Sequence, residues 1–213
     1  MGGDYNSCAY DITCGTVFKI TLSGKLTTMH SFDATGGFWP YAGLIQSTDG
    51  NFFGTTASTV FQMTPSGTLT TYTVDGTDTG VVQATGGIFY GTSGGRYYNY
   101  GTVFSFVAPG LTPPVILFNF NGTDGYGPNA LTQGTDGDFY GTTDRGGTHE
   151  AGTVFRLSRT MAATNWKETV LYSFTNGSDG GYPDAGLVFD ALGNLYGTTD
   201  NGGNVAGEGL CLN

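Results

Sequence analysis

Three observations predict an all-β fold assembled from repeats. The stretch from Ala42 to Thr56, AGLIQSTDGNFFGTT, reads as two short strands around a tight turn. Its ending returns as Phe89-Tyr90-Gly91-Thr92-Ser93, Phe139-Tyr140-Gly141-Thr142-Thr143 and Leu195-Tyr196-Gly197-Thr198-Thr199. A second landmark, Gly15-Thr16-Val17-Phe18, recurs as Ser58-Thr59-Val60-Phe61, Gly101-Thr102-Val103-Phe104 and Gly152-Thr153-Val154-Phe155, starting at 15, 58, 101 and 152. Third, the 213 residues hold 38 glycines and only 7 prolines, with no Gly-X-Y period, and glycine falls mostly between apolar runs, where turns need positive φ. Self-similarity at a period of roughly 20–50 residues marks solenoids, propellers and arrays. Four short antiparallel strands in a unit of ~45 residues make the blade of a β-propeller. The expectation is one domain over residues 1–213: a β-propeller of four repeats, closed as four blades or as half of a larger, eight-bladed ring.

Residues 2–14 form a loop rich in Gly and Tyr. Thr16 to Ile20 then alternates apolar and polar residues, as a half-buried strand does. Leu22 to Lys25 is turn-like, and Leu26 to Phe32 reads as the next strand. In the following unit the four strands, termed A to D, are Gly43 to Ser47, Asn51 to Thr55, Thr59 to Met63 and Leu69 to Val74. The third unit places C and D at Thr102 to Val107 and Val115 to Phe120, and the fourth at Thr153 to Leu157 and Glu168 to Phe174. The A strand beginning at Val81 lacks the proline and the Asp-Gly turn found elsewhere. No segment carries a helical period of useful length.

The pattern PYAGLIQSTDGNFFGTT, followed by GTVFKIT and SGKLTT, resembles the GloVer tandem-repeat family. That resemblance covers nearly the whole chain and implies a secreted bacterial protein, without supplying a catalytic residue. More loosely, P-x-(A/G)-L-x-x-x-x-D-G-N-x-Y is similar to the NHL class of propeller repeat. This likeness implies that strand A lines a central channel and strand D lies outermost.

The repeat opens in phase with strands C and D, and its last full pair, Ala185 to Asp190 and Asn194 to Thr199, is A and B. Joining the halves makes a composite blade and a four-bladed ring. Gly207 to Leu212, however, stands where a fifth C strand belongs and competes for the same edge. The other outcomes are a fragment of a larger ring or a homodimer, since an unpaired edge strand invites association.

Charge excludes several classes. Lys and Arg number 7 against 17 Asp and Glu, and the net charge is −10. No basic cluster is present to neutralise phosphates, which argues against nucleic-acid binding and against anionic membrane surfaces. No apolar run approaches the ~18 residues of a transmembrane helix, so membrane insertion is not expected. Met1-Gly2-Gly3 does not begin a signal peptide; the expectation is a removed leader or a start inside a longer parent. Of three cysteines, Cys8 and Cys14 bracket one loop and suit a local disulfide, with Cys211 left over. A disulfide suits an oxidising compartment.

The A–B turns are minimal, whereas the B–C and D–A loops are long and varied; on a propeller these two loop classes share one face. Binding residues concentrate in such loops. The candidate binding residues there are Trp39, Tyr97, Tyr98, Tyr100, Tyr126 and Tyr182, whose flat rings suit sugar or peptide stacking; the competing role is filling the wedges between blades. Asp78, Asp124 and Asp179 recur before the A strand. They are weak candidates for Ca²⁺ against the plainer role of capping turns, and no other cofactor is implied. His149 with Glu150 and Asp144 is a weak candidate for acid–base catalysis, since no G-x-S-x-G, H-E-x-x-H or P-loop is present. Gln46, Gln83 and Gln133 align on strand A and either line a channel or satisfy backbone groups between blades.

The sequence thus favours an extracellular or cell-surface binding module for carbohydrate or a surface partner. Its rivals are a glycan-acting hydrolase or lyase using channel-mouth carboxylates and His149, and a purely structural repeat array.

Overall fold

The computed structural model describes residues 14–33, 35–74, 76–77, 79–94, 99–107, 112–160 and 165–203. These contain seventeen β-strands and no helix. The strands are β1 (Thr16–Ile20), β2 (Leu26–Ser31), β3 (Ile45–Gln46), β4 (Phe52–Thr55), β5 (Thr59–Met63), β6 (Leu69–Thr73), β7 (Val82–Gln83), β8 (Ile88–Ser93) and β9 (Thr102–Val107). They continue as β10 (Val115–Asn119), β11 (Tyr126–Pro128), β12 (Thr132–Gln133), β13 (Phe139–Arg145), β14 (Thr153–Arg159), β15 (Trp166–Ser173), β16 (Val188–Phe189) and β17 (Leu195–Tyr196).

The sheets follow the repeat. Two four-stranded sheets, β3-β4-β5-β6 and β7-β8-β9-β10, run in chain order, as blades A to D do. A third blade takes β12-β13-β14-β15, with β11 added on the far part of β13. The hairpins β1-β2 and β16-β17 are a C–D pair and an A–B pair. The A strand expected least securely is formed: Val82 and Gln83 pair with Tyr90 and Phe89. Its turn needs no Asp, because Gly86 and Gly87 take φ of 93° and 80° themselves. The strand β11 was not expected from the sequence; it pairs Tyr126 with Arg145 and Pro128 with Thr143.

The chain divides into two compact units, residues 1–93 with 104–115, and residues 94–103 with 116–213. In unit 1 a core of Phe53, Val60, Val74, Val81, Phe89, Phe104 and Phe106 is buried. Phe53 and Phe89, from successive B strands, lie 4.2 Å apart, and Phe89 stacks on Phe106 at 5.1 Å. A second cluster joins Cys14, Val17, Phe32, Phe61 and Met63. In unit 2 Leu131, Phe139, Phe155, Leu157 and Leu187 are buried.

The repeated landmarks have two physical causes. The glycine of Phe-Gly-Thr or Tyr-Gly-Thr is a seat for the C-strand phenylalanine. A Cβ on Gly54 would lie 2.6 Å from Phe61 Cζ and 2.8 Å from Leu44 Cδ2. Gly91 is held likewise between Phe104 and Val81, and Gly141 between Phe155 and Leu131. The paired threonines are buried hydroxyl staples. Thr143 Oγ1 lies 2.9 Å from Thr153 Oγ1 and accepts from Thr153 N–H at 3.1 Å; Thr56 and Thr59 repeat this at 2.9 Å and 3.1 Å. A buried hydroxyl is costly unless partnered; these two pairs partner each other, whereas Thr102 Oγ1, at the same place in the third unit, is buried without a hydrogen-bond partner among the described residues. The preceding threonine reaches to the next repeat: Thr55 donates to Thr79 O at 2.7 Å and Thr142 to Ala185 O at 2.8 Å. Gln46 and Gln133 donate to the carbonyls of Gly50 and Gly137 in their own A–B turns, and Gln83 to Ser47 Oγ of the neighbouring blade. Gln46 and Gln133 thus satisfy carbonyls of their own turns, whereas the expectation placed such bonds between blades; Gln83 makes the longer reach, to a side chain.

Candidate functional site

The D–A connection crosses to the start of a C strand at one repeated point. Trp39, Gly76, Gly127 and Tyr182 donate their N–H groups to Cys14 O, Ala57 O, Tyr100 O and Ala151 O, the residues just before the four Thr-Val-Phe landmarks. All four adopt left-handed backbone, with φ of 55°, 72°, 67° and 54°. Glycine takes this region freely, whereas a bulky residue there is a strained outlier. A following proline narrows the choice further, and Pro40 and Pro183 follow Trp39 and Tyr182. Two repeats therefore relax with glycine, and two hold an aromatic ring against the backbone's preference.

In unit 1 the loop is braced before the ring. Asp33 accepts from Thr35 N–H at 3.0 Å, Gly36 N–H at 2.8 Å and Thr35 Oγ1 at 2.7 Å; the Thr35 hydroxyl leads these in holding its carboxyl below the usual range. Phe38 packs inward on the second cluster and meets Trp39 edge-on at 5.1 Å. Trp39 stays 38% exposed and Tyr41 62% exposed, their rings 6.2 Å apart. The wedge-filling role thus falls to Phe38, and the open rings are Trp39 and Tyr41.

In unit 2 Tyr100, half exposed, lies over Gly122 and meets Tyr126 edge-on at 5.9 Å. The Arg145 guanidinium sits 6.0 Å from the Tyr182 ring centre, within the reach of a cation–π contact, and its Nε is 3.4 Å from Asp144 Oδ2. Burial is the largest influence on Asp144 and raises its pKa; Arg145 opposes this, and Asp184 and Asp200 reinforce it.

Tyr97, Tyr98 and Asp78 lie outside the described residues. His149 accepts or shares a hydrogen bond with Thr148 Oγ1 at 2.9 Å. No hydrogen bond or ion pair joins it to Glu150 or Asp144 among the described residues, so that trio is not assembled. Glu150 carries a φ of 56° and marks the bend into Ala151. Asp124 accepts from Asn121 N–H at 2.9 Å. Asp179 accepts from Thr175 Oγ1, Thr175 N–H and Tyr172 Oη, and the Thr175 hydroxyl foremost holds its pKa down to about 2. Both therefore cap turns, and among the described residues no three acidic or His/Cys side chains gather to hold a metal ion. Cys14 is disulfide-bonded; the cysteine it pairs with lies outside the described residues, as does the expected Cys8 end of that loop.

The sequence reading passed over the A–B side of unit 2. A groove of about 460 Å³ runs between the turn at Gln133 to Asp136 and the turn at Asp190 to Gly193, with Tyr140 and Phe189 on its walls. Its carboxylates are committed locally: Asp136 to Tyr140 Oη at 2.7 Å, and Asp190 to Asn194 and Tyr196. Burial, then the Asp136 hydrogen bond, pushes the Tyr140 pKa up to about 12. The aromatic left-handed position also escaped that reading. Its signal was the alignment of Trp39-Pro40, Gly127-Pro128 and Tyr182-Pro183 before strand A, where glycine in one copy reports the backbone of the others.

Among curated proteins none matches the sequence. Solved structures share the fold. The extracellular domain of a hybrid two component system from B. thetaiotaomicron aligns with TM-score 0.54 at 15% identity, over 88% of this chain and 24% of that one. Virginiamycin B lyase from Staphylococcus aureus aligns with TM-score 0.53 at 14% identity, over 82% and 53%. A gluconolactonase from Xanthomonas campestris aligns with TM-score 0.55 at 14% identity, over 87% and 63%. The chain thus spans less than two thirds of each of these proteins. At such identities the likeness establishes a propeller-like all-β fold. The profile of the Gloeobacter/Verrucomicrobia repeat matches residues 56–211, most of the chain, and with its glycine seats and threonine staples in place the chain belongs to that family.

Proposed function

We propose that this chain is an extracytoplasmic β-propeller module that binds carbohydrate through aromatic rings on its D–A connections: Trp39 with Tyr41 in unit 1, and Tyr182 with Arg145 in unit 2. One observation carries this reading. Trp39 and Tyr182 occupy a left-handed backbone position that sister repeats fill with glycine. Such strain costs on the order of 1–3 kcal/mol and collects at ligand clamps and active sites. Trp39, kept there while exposed to solvent, is of use to something outside the protein, and the half-buried Tyr182 presents its ring to Arg145. The flat face of a pyranose suits a Trp–Tyr pair, and an arginine beside a tyrosine adds donors for hydroxyls. The disulfide at Cys14 and the extracellular neighbour support an extracytoplasmic setting.

The test is a glycan array, followed by calorimetric titration of the best hit against Trp39→Gly and Tyr182→Gly. Glycine is the residue that sister repeats use at this position, so each variant keeps the backbone path. Binding lost in either variant at an unchanged melting temperature supports the reading. Undiminished binding in both, or no glycan bound by the wild type, refutes it.

A further inference from the structure

The glycine seat fixes a register that two open edges of the described structure share. In the β4–β5 pair, Gly54 lies opposite Phe61, Phe53 opposite Gln62, Phe52 opposite Met63 and Thr55 opposite Val60. The β13–β14 pair repeats it, with Gly141 opposite Phe155, Tyr140 opposite Arg156 and Phe139 opposite Leu157. Wherever the seat is filled the ring is buried: Phe61 is 1% exposed, Phe104 and Phe155 0%.

Strand β1 carries the C-strand set Val17-Phe18-Lys19-Ile20, yet among the described residues it pairs with β2 alone. Phe18 and Ile20 are each 56% exposed. Strand β17 carries the B-strand set and pairs with β16 alone among the described residues, leaving Tyr196 56% exposed. A Cβ on Gly197 would meet Leu187 of its own A strand and no phenylalanine. Among the described residues one edge holds a ring without its glycine, and the other a glycine without its ring.

We infer that the β16–β17 hairpin of one copy adds to the β1 edge of a second copy, completing a composite blade. The register is Gly197 opposite Phe18, Tyr196 opposite Lys19, Leu195 opposite Ile20 and Thr198 opposite Val17. Thr199 then meets Thr16 as Thr143 meets Thr153. The added strand covers two apolar grooves lined by Phe18, of about 340 and 460 Å³. Strand addition of this kind combines main-chain hydrogen bonds with pockets for alternate side chains and removes an exposed edge. A second copy is the favoured occupant because the lyase and the gluconolactonase, of which this chain spans 53% and 63%, are longer than one copy. Two such aligned spans make up about the whole length of the lyase.

The experiment places the photoreactive analogue p-benzoylphenylalanine at position 18, in both ¹⁵N-labelled and unlabelled protein. The two are mixed in equal amounts, irradiated, and the cross-linked peptides identified by mass. Light scattering of the unmodified protein gives the mass in solution. The expected result is a two-chain mass, with position 18 joined to the peptide holding Leu195 to Thr198 in heavy–light pairs. Phe18→Asp, at an exposed site, should keep its melting transition and lose the two-chain mass. A one-chain mass, cross-links confined to same-isotope pairs, cross-links to other peptides, or a dimeric Phe18→Asp variant overturns the inference.

Discussion

Replacing Gly141 by alanine tests the claim that a glycine seat holds each blade together. The new Cβ would stand 2.8 Å from Phe155 Cζ, 2.9 Å from Cε1 and 3.3 Å from Leu131 Cδ2. Comfortable carbon–carbon contact lies at about 3.5–4.0 Å, so the ring must retreat by roughly 0.7 Å. Phe155 has little freedom to do so, being fully buried and edge-on to Phe120 at 5.1 Å. Forcing an extra methyl into a packed core costs about 1–3 kcal/mol. The loss of glycine's freedom in the unfolded chain offsets about 0.5–1 kcal/mol of that. The net expectation is a destabilisation of about 1–2 kcal/mol, a fall in Tm of roughly 2–8 °C for a chain of this length. Calorimetry or a far-ultraviolet melt measures it. Phe155→Leu supplies the control, because trimming the ring tip in the Gly141→Ala background should leave a coupling of at least about 0.5 kcal/mol. A Gly141→Ala protein that melts at or above wild type, or one whose loss ignores residue 155, would refute the seat.

Four further outcomes are expected. Thr143→Val strips a buried hydroxyl that donates to Arg145 O at 2.8 Å and accepts from Thr153 N–H, and should cost about 1–3 kcal/mol in a denaturant titration. Trp39→Gly should change stability by no more than about 1 kcal/mol, because release of backbone strain compensates for the packing lost from a partly exposed ring; a fall of more than 3 kcal/mol would show a core residue instead. Burial, reinforced by Asp124, pushes the Glu168 carboxyl up to about 7. Its folded pKa lies above the unfolded one, so its stabilisation is complete below about pH 4.5 and is lost as pH rises to about 7. Glu168→Gln should therefore raise the urea midpoint over wild type at pH 8 more than at pH 4.5, and equal shifts at both would sink the assignment. At ~150 mM salt no affinity for duplex DNA is expected; sub-micromolar binding in a filter or anisotropy assay would overturn the charge argument.

The legible part of this fold was the part written several times over. Strand β5 was read at Thr59 to Met63 and lies there, because apolar alternation and a fixed offset from Gly-Thr-Thr agreed across units. The reason for those landmarks was not legible. Nothing in a linear sequence says that Gly54 faces Phe61, or that Thr56 and Thr59 close on each other, until the register brings them together. The proposed site was legible as a choice of loops and less so as a choice of residues. Trp39 and Tyr182 were named for their rings, but their backbone strain, which is the stronger argument, goes with a hydrogen bond to a residue just ahead of another strand. The contact of Arg145 with Tyr182 was not legible, because the two lie far apart along the chain. The acidic residues before strand A read two ways for a simple reason: a repeat copies its turn caps together with its strands, and periodic carboxylates then look like a ligand set.

The seats and staples bear on the order of folding. Phe61 follows Gly54 by seven residues, and Thr59 follows Thr56 by three. Both contacts close within one hairpin and demand little loop-closure entropy. Thr142 must instead reach Ala185, and Asn129 must reach Pro183, across a whole repeat. Native-state hydrogen exchange should accordingly find the B–C hairpins to be the last structure to open. The short A strands, two residues long in β3, β7, β12 and β16, would exchange through smaller openings. Such a chain matures hairpin by hairpin, and its short A strands are the final ones to lock.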